Sequence, residues 1–152
     1  MSFCSKLKTE LCNIKSSECC RIAECYGIML FGRFFSRDKI GIQTENEAVA
    51  QDFCYLLKKC FGIYVSPVSS NGKRIVHKVS IQNADDIQKI FDRLGNEDIF
   101  YTDILSKDCC RAAFIRGMFL SCGQCEEPEK NPRIDLIIKN DALVPTVIGL
   151  LN

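Results

Sequence analysis

The chain has 152 residues, of which 47% are hydrophobic and 26% charged, and its net charge is +1. That length supports one domain with a real core, and the composition is that of a globular fold rather than a disordered or membrane-spanning one. Near-neutrality argues against a uniformly basic nucleic-acid binder, whose affinity rests on phosphate neutralisation, so any such contact must use a local patch or another domain.

The opening Met1-Ser2-Phe3-Cys4-Ser5-Lys6 lacks the apolar core of a signal peptide, and no apolar run is long enough to span a bilayer. A cytoplasmic chain without membrane contact is expected. Eleven cysteines form an odd set with two adjacent pairs, Cys19-Cys20 and Cys109-Cys110. Without a secretion signal a disulfide framework is not expected, and most thiols are expected reduced in the core.

Phe3, Leu7 and Leu11 recur every four residues and predict a short amphipathic helix over 3–12. Ser16 or Ser17 caps a second helix reaching about Phe31, with Glu18 at its positive end. Lys39 to Thr44 alternates as a strand. Asn46 caps a helix through about Cys60 that turns Val49, Phe53, Leu56 and Leu57 to one side, and Gly62 ends it. Ile63 to Val68 predicts a strand, Ser69-Ser70-Asn71-Gly72 a hairpin turn, and Lys73 to Ile81 the returning strand. Asn83 caps a helix through Leu94, which Gly95-Asn96 stops. A connector at 98–105 precedes a helix from Ser106 to about Ser121, a loop over 126–132, a strand from Arg133 to Lys139 and a last helix.

The helices at 16–30 and 106–120 are copies of one another. Ser16, Cys19-Cys20-Arg21, Ala23, Gly27 and Leu30 return as Ser106, Cys109-Cys110-Arg111, Ala113, Gly117 and Leu120 at a constant offset of 90. Asn46 returns as Asn140 at offset 94, so the second copy's intervening loop is four residues longer. The chain therefore divides into repeat one (1–97), connector (98–105) and repeat two (106–152). Repeat two lacks a counterpart to the 63–81 hairpin, so the chain is expected to be a truncated fragment of a longer protein. A glycine inside a helix costs about 1 kcal/mol relative to alanine. Both copies nevertheless carry Ala-x-x-x-Gly, as Ala23/Gly27 and Ala113/Gly117. These small residues one turn apart predict that the two helices pack closely across a pseudo-twofold axis.

Paired helices followed by strands resemble the LAGLIDADG homing-endonuclease fold. Ile115 to Gly123 is similar to that family's motif at both glycines, Cys25 to Arg33 at the first only. A closer resemblance is to the WhiA-type regulators. It is carried by Ser2-Phe3, Lys8-x-Glu10-Leu11, Cys19-Cys20-Arg21-x-Ala23-Glu24 and Thr44-Glu45-Asn46. It continues in Asp108-Cys109-Cys110-Arg111-x-Ala113-Phe114-x-Arg116-Gly117-x-Phe119-Leu120 and Pro128-Glu129-Lys130. The resemblance implies an α+β, LAGLIDADG-like fold that has lost cleavage. It also implies transcription regulation in sporulation and cell division, a nucleoid-associated location, and a helix-turn-helix domain, absent from this sequence, that makes the main DNA contacts.

A nuclease of this fold needs an acid at the foot of each central helix to hold divalent cations. Gly32 and Cys122 stand there, while Asp38, Glu126 and Glu127 fall in loops beyond the helix ends. No enzymatic activity is expected. The competing readings are a metal-dependent nuclease and a protein-binding module. Cys122-Gly123-Gln124-Cys125 offers two of the four ligands a structural zinc needs, and Cys109 and Cys110 lie about 15–20 Å away along the helix. No metal and no cofactor are expected. His77, the single histidine, alternates with Ile75 and Val79 as a sheet residue. The opposite sheet face presents Lys39, Gln43, Arg74 and Lys78, with Lys73 at the rim and Arg133 in the second repeat. These are the candidate DNA contacts, to phosphates rather than bases. The incomplete second repeat is the candidate surface for a protein partner or self-association.

Overall fold

The computed structural model describes residues 2–14, 16–94, 102–127, 129 and 133–151. The two repeated helices, α2 (Glu18–Leu30) and α5 (Asp108–Cys122), form its centre. They run side by side in one direction, and each glycine faces the partner's backbone. A Cβ on Gly27 would overlap the Phe114 carbonyl oxygen and lie 2.9 Å from the Met118 nitrogen. A Cβ on Gly117 would overlap the Glu24 carbonyl and lie 3.1 Å from the Ile28 nitrogen. Ala23 and Ala113 are buried in the same seam, so the predicted close packing is present.

Ahead of this pair stands α1 (Phe3–Cys12), capped by Ser2, whose hydroxyl accepts from the Ser5 N–H at 3.1 Å. The helix α3 (Glu47–Phe61) begins at Asn46, whose Oδ1 accepts from the Val49 N–H at 3.2 Å. The Asn46 amide donates to the Ser5 carbonyl at 2.9 Å and to Thr9 Oγ1 at 3.2 Å. One side chain thus starts α3 and ties α1 to it. Gly62 ends α3 in the left-handed region at φ 66°, where glycine pays no Cβ penalty.

Four antiparallel strands cover the first repeat: β1 (Phe34–Phe35), β2 (Ile40–Thr44), β3 (Val68–Asn71) and β4 (Ile75–Ile81), in the order β1-β2-β4-β3. Ile40, Ile42, Val79 and Ile81 point inward onto the helices, and α4 (Ala84–Leu94) adds Ile87, Ile90, Phe91 and Leu94 to the same core. Asn83 caps α4 by accepting from the Asp85 and Asp86 N–H groups.

The second repeat carries a two-stranded sheet, β5 (Gly123–Cys125) with β6 (Ile134–Leu136), and ends in α6 (Val144–Leu151). Its register copies the first: Phe34↔Gly41 and Phe35↔Ile40 return as Gln124↔Asp135 and Cys125↔Ile134. The four extra residues are absorbed between the paired strands.

Three expectations are corrected. The strand expected at 63–68 begins at Val68, because Ile63 is drawn into the end of α3, its N–H bonding the Leu57 carbonyl at 3.2 Å. The hairpin turn moves from 69–72 to 72–74, since Asn71 pairs with Ile75. That register places Ser69 Oγ 2.8 Å from His77 Nδ1 and turns His77, Val79 and Ile81 inward. The cysteines are less buried than expected: only Cys25 and Cys110 are buried, Cys109 is exposed, and all eleven are free thiols. The helix stop at Gly95-Asn96, connector residues 98–101, and Pro128 and Lys130 of the family match lie outside the described residues.

Candidate nucleic-acid interface

The outer face of the four-stranded sheet gathers part of the predicted set. Gln43 stands opposite Lys78 across the β2–β4 ladder, and both are exposed. Lys39, at the start of β2, lays its ammonium 4.2 Å from the centre of the Phe34 ring, and Arg33 approaches the same ring at 5.4 Å. This cation–aromatic stack holds two positive charges against one edge of the sheet. Lys73 sits in the hairpin loop, exposed. Arg74 is spent differently: its guanidinium pairs with Glu45 at 3.2 Å. Arg133 belongs to the second sheet, where it pairs with Asp135 at 2.9 Å. Lys39, Gln43 and Lys78 therefore share one face, while Arg74 and Arg133 are partly neutralised.

The feet of the central helices hold what the sequence reading missed. A cavity of about 310 Å³ opens there between the two sheets, lined by Gly32, Cys122 and Gly123 and by Lys8, Arg33, Gln43, Gln124 and Lys139. Among the described residues, three cations and no carboxylate line it. Lys8 comes from α1 and Lys139 from beyond β6, so nothing local in sequence announces their convergence. Arg33 carried a signal, since it directly follows the position where a nuclease holds its acid.

That position is also closed. A Cβ on Gly32 would come 2.8 Å from the Gly41 carbonyl oxygen and 2.9 Å from Ile42 Cγ2, so β2 occupies the space an aspartate needs. Cys122 is half-buried, and burial pushes its thiol up to about 11, leaving it a neutral group. Glu45, Glu126 and Glu127 line an adjoining cavity of about 620 Å³, which shares Lys8, Gln43 and Gln124 with the first. Among the described residues, the cavity at the helix feet presents cations rather than the paired oxygen ligands that a hydrolytic cation requires.

The helix pair itself is asymmetric in a defined way. Glu24 of α2 is buried and pairs with Arg116 of α5 at 3.3 Å, and Arg116 also donates to Ser16 Oγ at 2.7 Å. The symmetry-equivalent residues, Phe114 and Tyr26, instead form an aromatic pair with ring centroids 5.5 Å apart. An ion pair on one side of the axis thus matches a ring pair on the other. At the opposite end from the cavity, the starts of both helices bring Cys19, Cys20, Cys109 and Cys110 together, all four Sγ atoms within 4.8 Å of one another. No helix among the described residues is long and apolar enough to cross a membrane.

No family model matches the chain. It is 32% identical over 167 residues to a probable cell division protein WhiA of Ruminiclostridium cellulolyticum, covering 100% of this chain and 53% of the relative. It is 30% identical over 169 residues to the probable cell division protein WhiA of Desulforamulus reducens, covering 99% and 52%. The chain thus spans about half the length of the curated relatives it matches. Full-length WhiA from Thermatoga maritima superposes with a TM-score of 0.73 at 19% identity, over 99% of this chain and 50% of that one. The N-terminal LAGLIDADG domain of WhiA gives 0.73 at 18% identity, over 99% of this chain and 73% of that one. By sequence relationship the chain belongs to the WhiA family, and its α+β fold is that of the family's N-terminal LAGLIDADG domain.

Proposed function

We propose that this chain is a non-cleaving DNA-contact scaffold within a WhiA-type cell-division and sporulation regulator. One observation carries the reading: where a LAGLIDADG nuclease holds its acids, this chain has a cavity lined by Lys8, Arg33 and Lys139, with Gly32 closed off by β2. Cations at that place attract a phosphate and cannot hold a catalytic metal ion. Half-buried Lys39 and exposed Gln43 and Lys78 extend the same surface along the sheet. Such contacts position a duplex without reading its sequence. In this reading the sequence-specific contacts and the transcriptional output belong to the longer relatives' further domain, and the location is with the nucleoid.

Fluorescence anisotropy with a short duplex over a salt series tests the proposal. The double change Lys39→Glu with Lys78→Glu should weaken binding uniformly across sequences and lower the salt slope by about 1–2. Unchanged affinity and slope would overturn it. Incubation with supercoiled plasmid and Mg²⁺ should give no nicking.

A protein-contact role is favoured by a separate observation. Ile134 and Ile137 near the second sheet are 70% and 51% exposed, and Ile148 and Leu151 of α6 are 55% and 54% exposed. Sedimentation over a concentration series distinguishes self-association through this surface from a monomer.

A further inference from the structure

The structure gives a task to almost every repeated pair of positions in the two Ser-x-x-Cys-Cys-Arg-x-Ala-x-x-x-Gly segments. Arg21 reaches back to the Ser16 carbonyl at 3.0 Å, and Arg111 reaches the Ser106 carbonyl at 3.2 Å. Ala23, Gly27, Ala113 and Gly117 form the helix seam. The two Cys-Cys pairs are left over. They sit in the first turns of α2 and α5, and the pseudo-twofold axis brings them to one point.

There the four Sγ atoms lie within 4.8 Å of one another, Cys109 and Cys110 at 4.0 Å. Four thiolates around one zinc at about 2.3 Å stand about 3.8 Å apart. The observed cluster needs only a small contraction to reach that geometry. We propose that Cys19, Cys20, Cys109 and Cys110 form a four-thiolate zinc site on the pseudo-twofold axis, two ligands from each repeat, clamping the starts of the central helices together.

The surroundings suit it. A zinc with four thiolates carries a net charge of −2, and two helix N-termini supply roughly half a positive charge each at the same point. Neither helix start is closed by a side-chain cap: Ser17 and Lys107 occupy the cap positions without bonding the first-turn N–H groups. The Ser17 hydroxyl lies instead 3.3 Å from Cys19 Sγ, where it can donate to the metal-bound sulfur. Loading zinc releases the thiol protons to solvent, so affinity weakens as the solution is acidified. Four sulfur ligands with no position left for water make the site a closed structural one rather than a catalytic one.

Cobalt(II) titration of the 152-residue chain, reduced and anaerobic, tests the site. The expected result is the intense charge-transfer and ligand-field absorption of a tetrahedral tetrathiolate, saturating at one equivalent and erased by zinc. Cys20→Ser with Cys109→Ser should abolish it, and Cys122→Ser with Cys125→Ser should leave it intact. Because the first variant removes a clamp and could unfold, zinc protection of wild-type thiols from alkylation is mapped by mass spectrometry. Protection should fall on these four cysteines and no others. Absence of the tetrathiolate spectrum, its persistence in the Cys20/Cys109 variant, or protection centred on Cys122 and Cys125 would each overturn the proposal. So would cysteines 19, 20, 109 and 110 isolated as disulfides under reducing conditions, or iron and sulfide recovered with the protein.

Discussion

Gly27 and Gly117 show what one hydrogen in place of a methyl group achieves. Each lets the facing backbone approach to a distance that any Cβ would block. Gly27→Ala or Gly117→Ala should therefore cost about 3 kcal/mol, measured by urea unfolding, because the obstructing atoms are backbone and cannot rotate away. Gly149→Ala in α6, with open space around it, should be tolerated. The Glu24–Arg116 pair makes a second test. Arg116→Ala strands a buried carboxylate and should cost about 3–5 kcal/mol. Adding Glu24→Phe and replacing Arg116 by Tyr copies the ring pair already present across the axis, and should recover most of that loss. Asp52 is a third case: its Oδ2 is buried without a hydrogen-bond partner among the described residues. Burial, then the charge of Glu24, raises its pKa from 3.8 to about 8. A folded value above the unfolded one means the group's contribution to stability is full below about pH 4 and is lost as the pH rises towards 8. Asp52→Asn should flatten that dependence and gain about 1–2 kcal/mol at pH 8, with little change at pH 4.

Among the elements, helices were more legible than strands. The starts of α3 and α4 are written locally, in asparagines whose side chains accept from the N–H groups two or three residues on. Asn46 does more than its local pattern announces, because its amide also anchors α1. Asn46→Ala should thus exceed the usual capping loss of about 1 kcal/mol, visible as a lower thermal midpoint and faster amide exchange in α1. The strands β1 and β5 went unread because two or three residues carry no alternation to detect. The hairpin slipped because Asn71-Gly72 is a strong turn signal, yet burial of His77, Val79 and Ile81 sets the register. A one-residue slip would have turned those side chains out to solvent. Of the candidate contacts, Lys39, Gln43 and Lys78 were placed on one face by alternation alone. The pairing of Arg74 with Glu45 and of Arg133 with Asp135 was not legible, since it depends on which neighbouring strand or residue each guanidinium meets.

For the whole molecule, a net charge of +1 hides a local concentration of cations at the feet of the helices. Gly32→Asp should not create cleavage in a plasmid-nicking assay with Mg²⁺; it should destabilise the fold, because the new side chain must displace β2. The unequal pairs across the axis also bear on assembly. Pairing α2 with α2 of a second copy would set Glu24 against Tyr26, and pairing α5 with α5 would set Arg116 against Phe114. Each leaves a buried charge without its partner. The central seam should therefore stay intramolecular, with any self-association occurring elsewhere, as cross-linking at this seam would report. The repeat, the asparagine caps of α3 and α4, the Ala-x-x-x-Gly contact and the missing acids could all be read along the chain, since each rests on spacing within one helix or on identity at one position; the serine cap expected for α2 does not form. The convergence of Lys8, Arg33 and Lys139, the opposed ion and ring pairs, and the meeting of four cysteines came only with the folded molecule. They join residues up to 131 positions apart, from Lys8 to Lys139, and the packing of two repeats about an axis leaves no periodic trace of which side chains will touch.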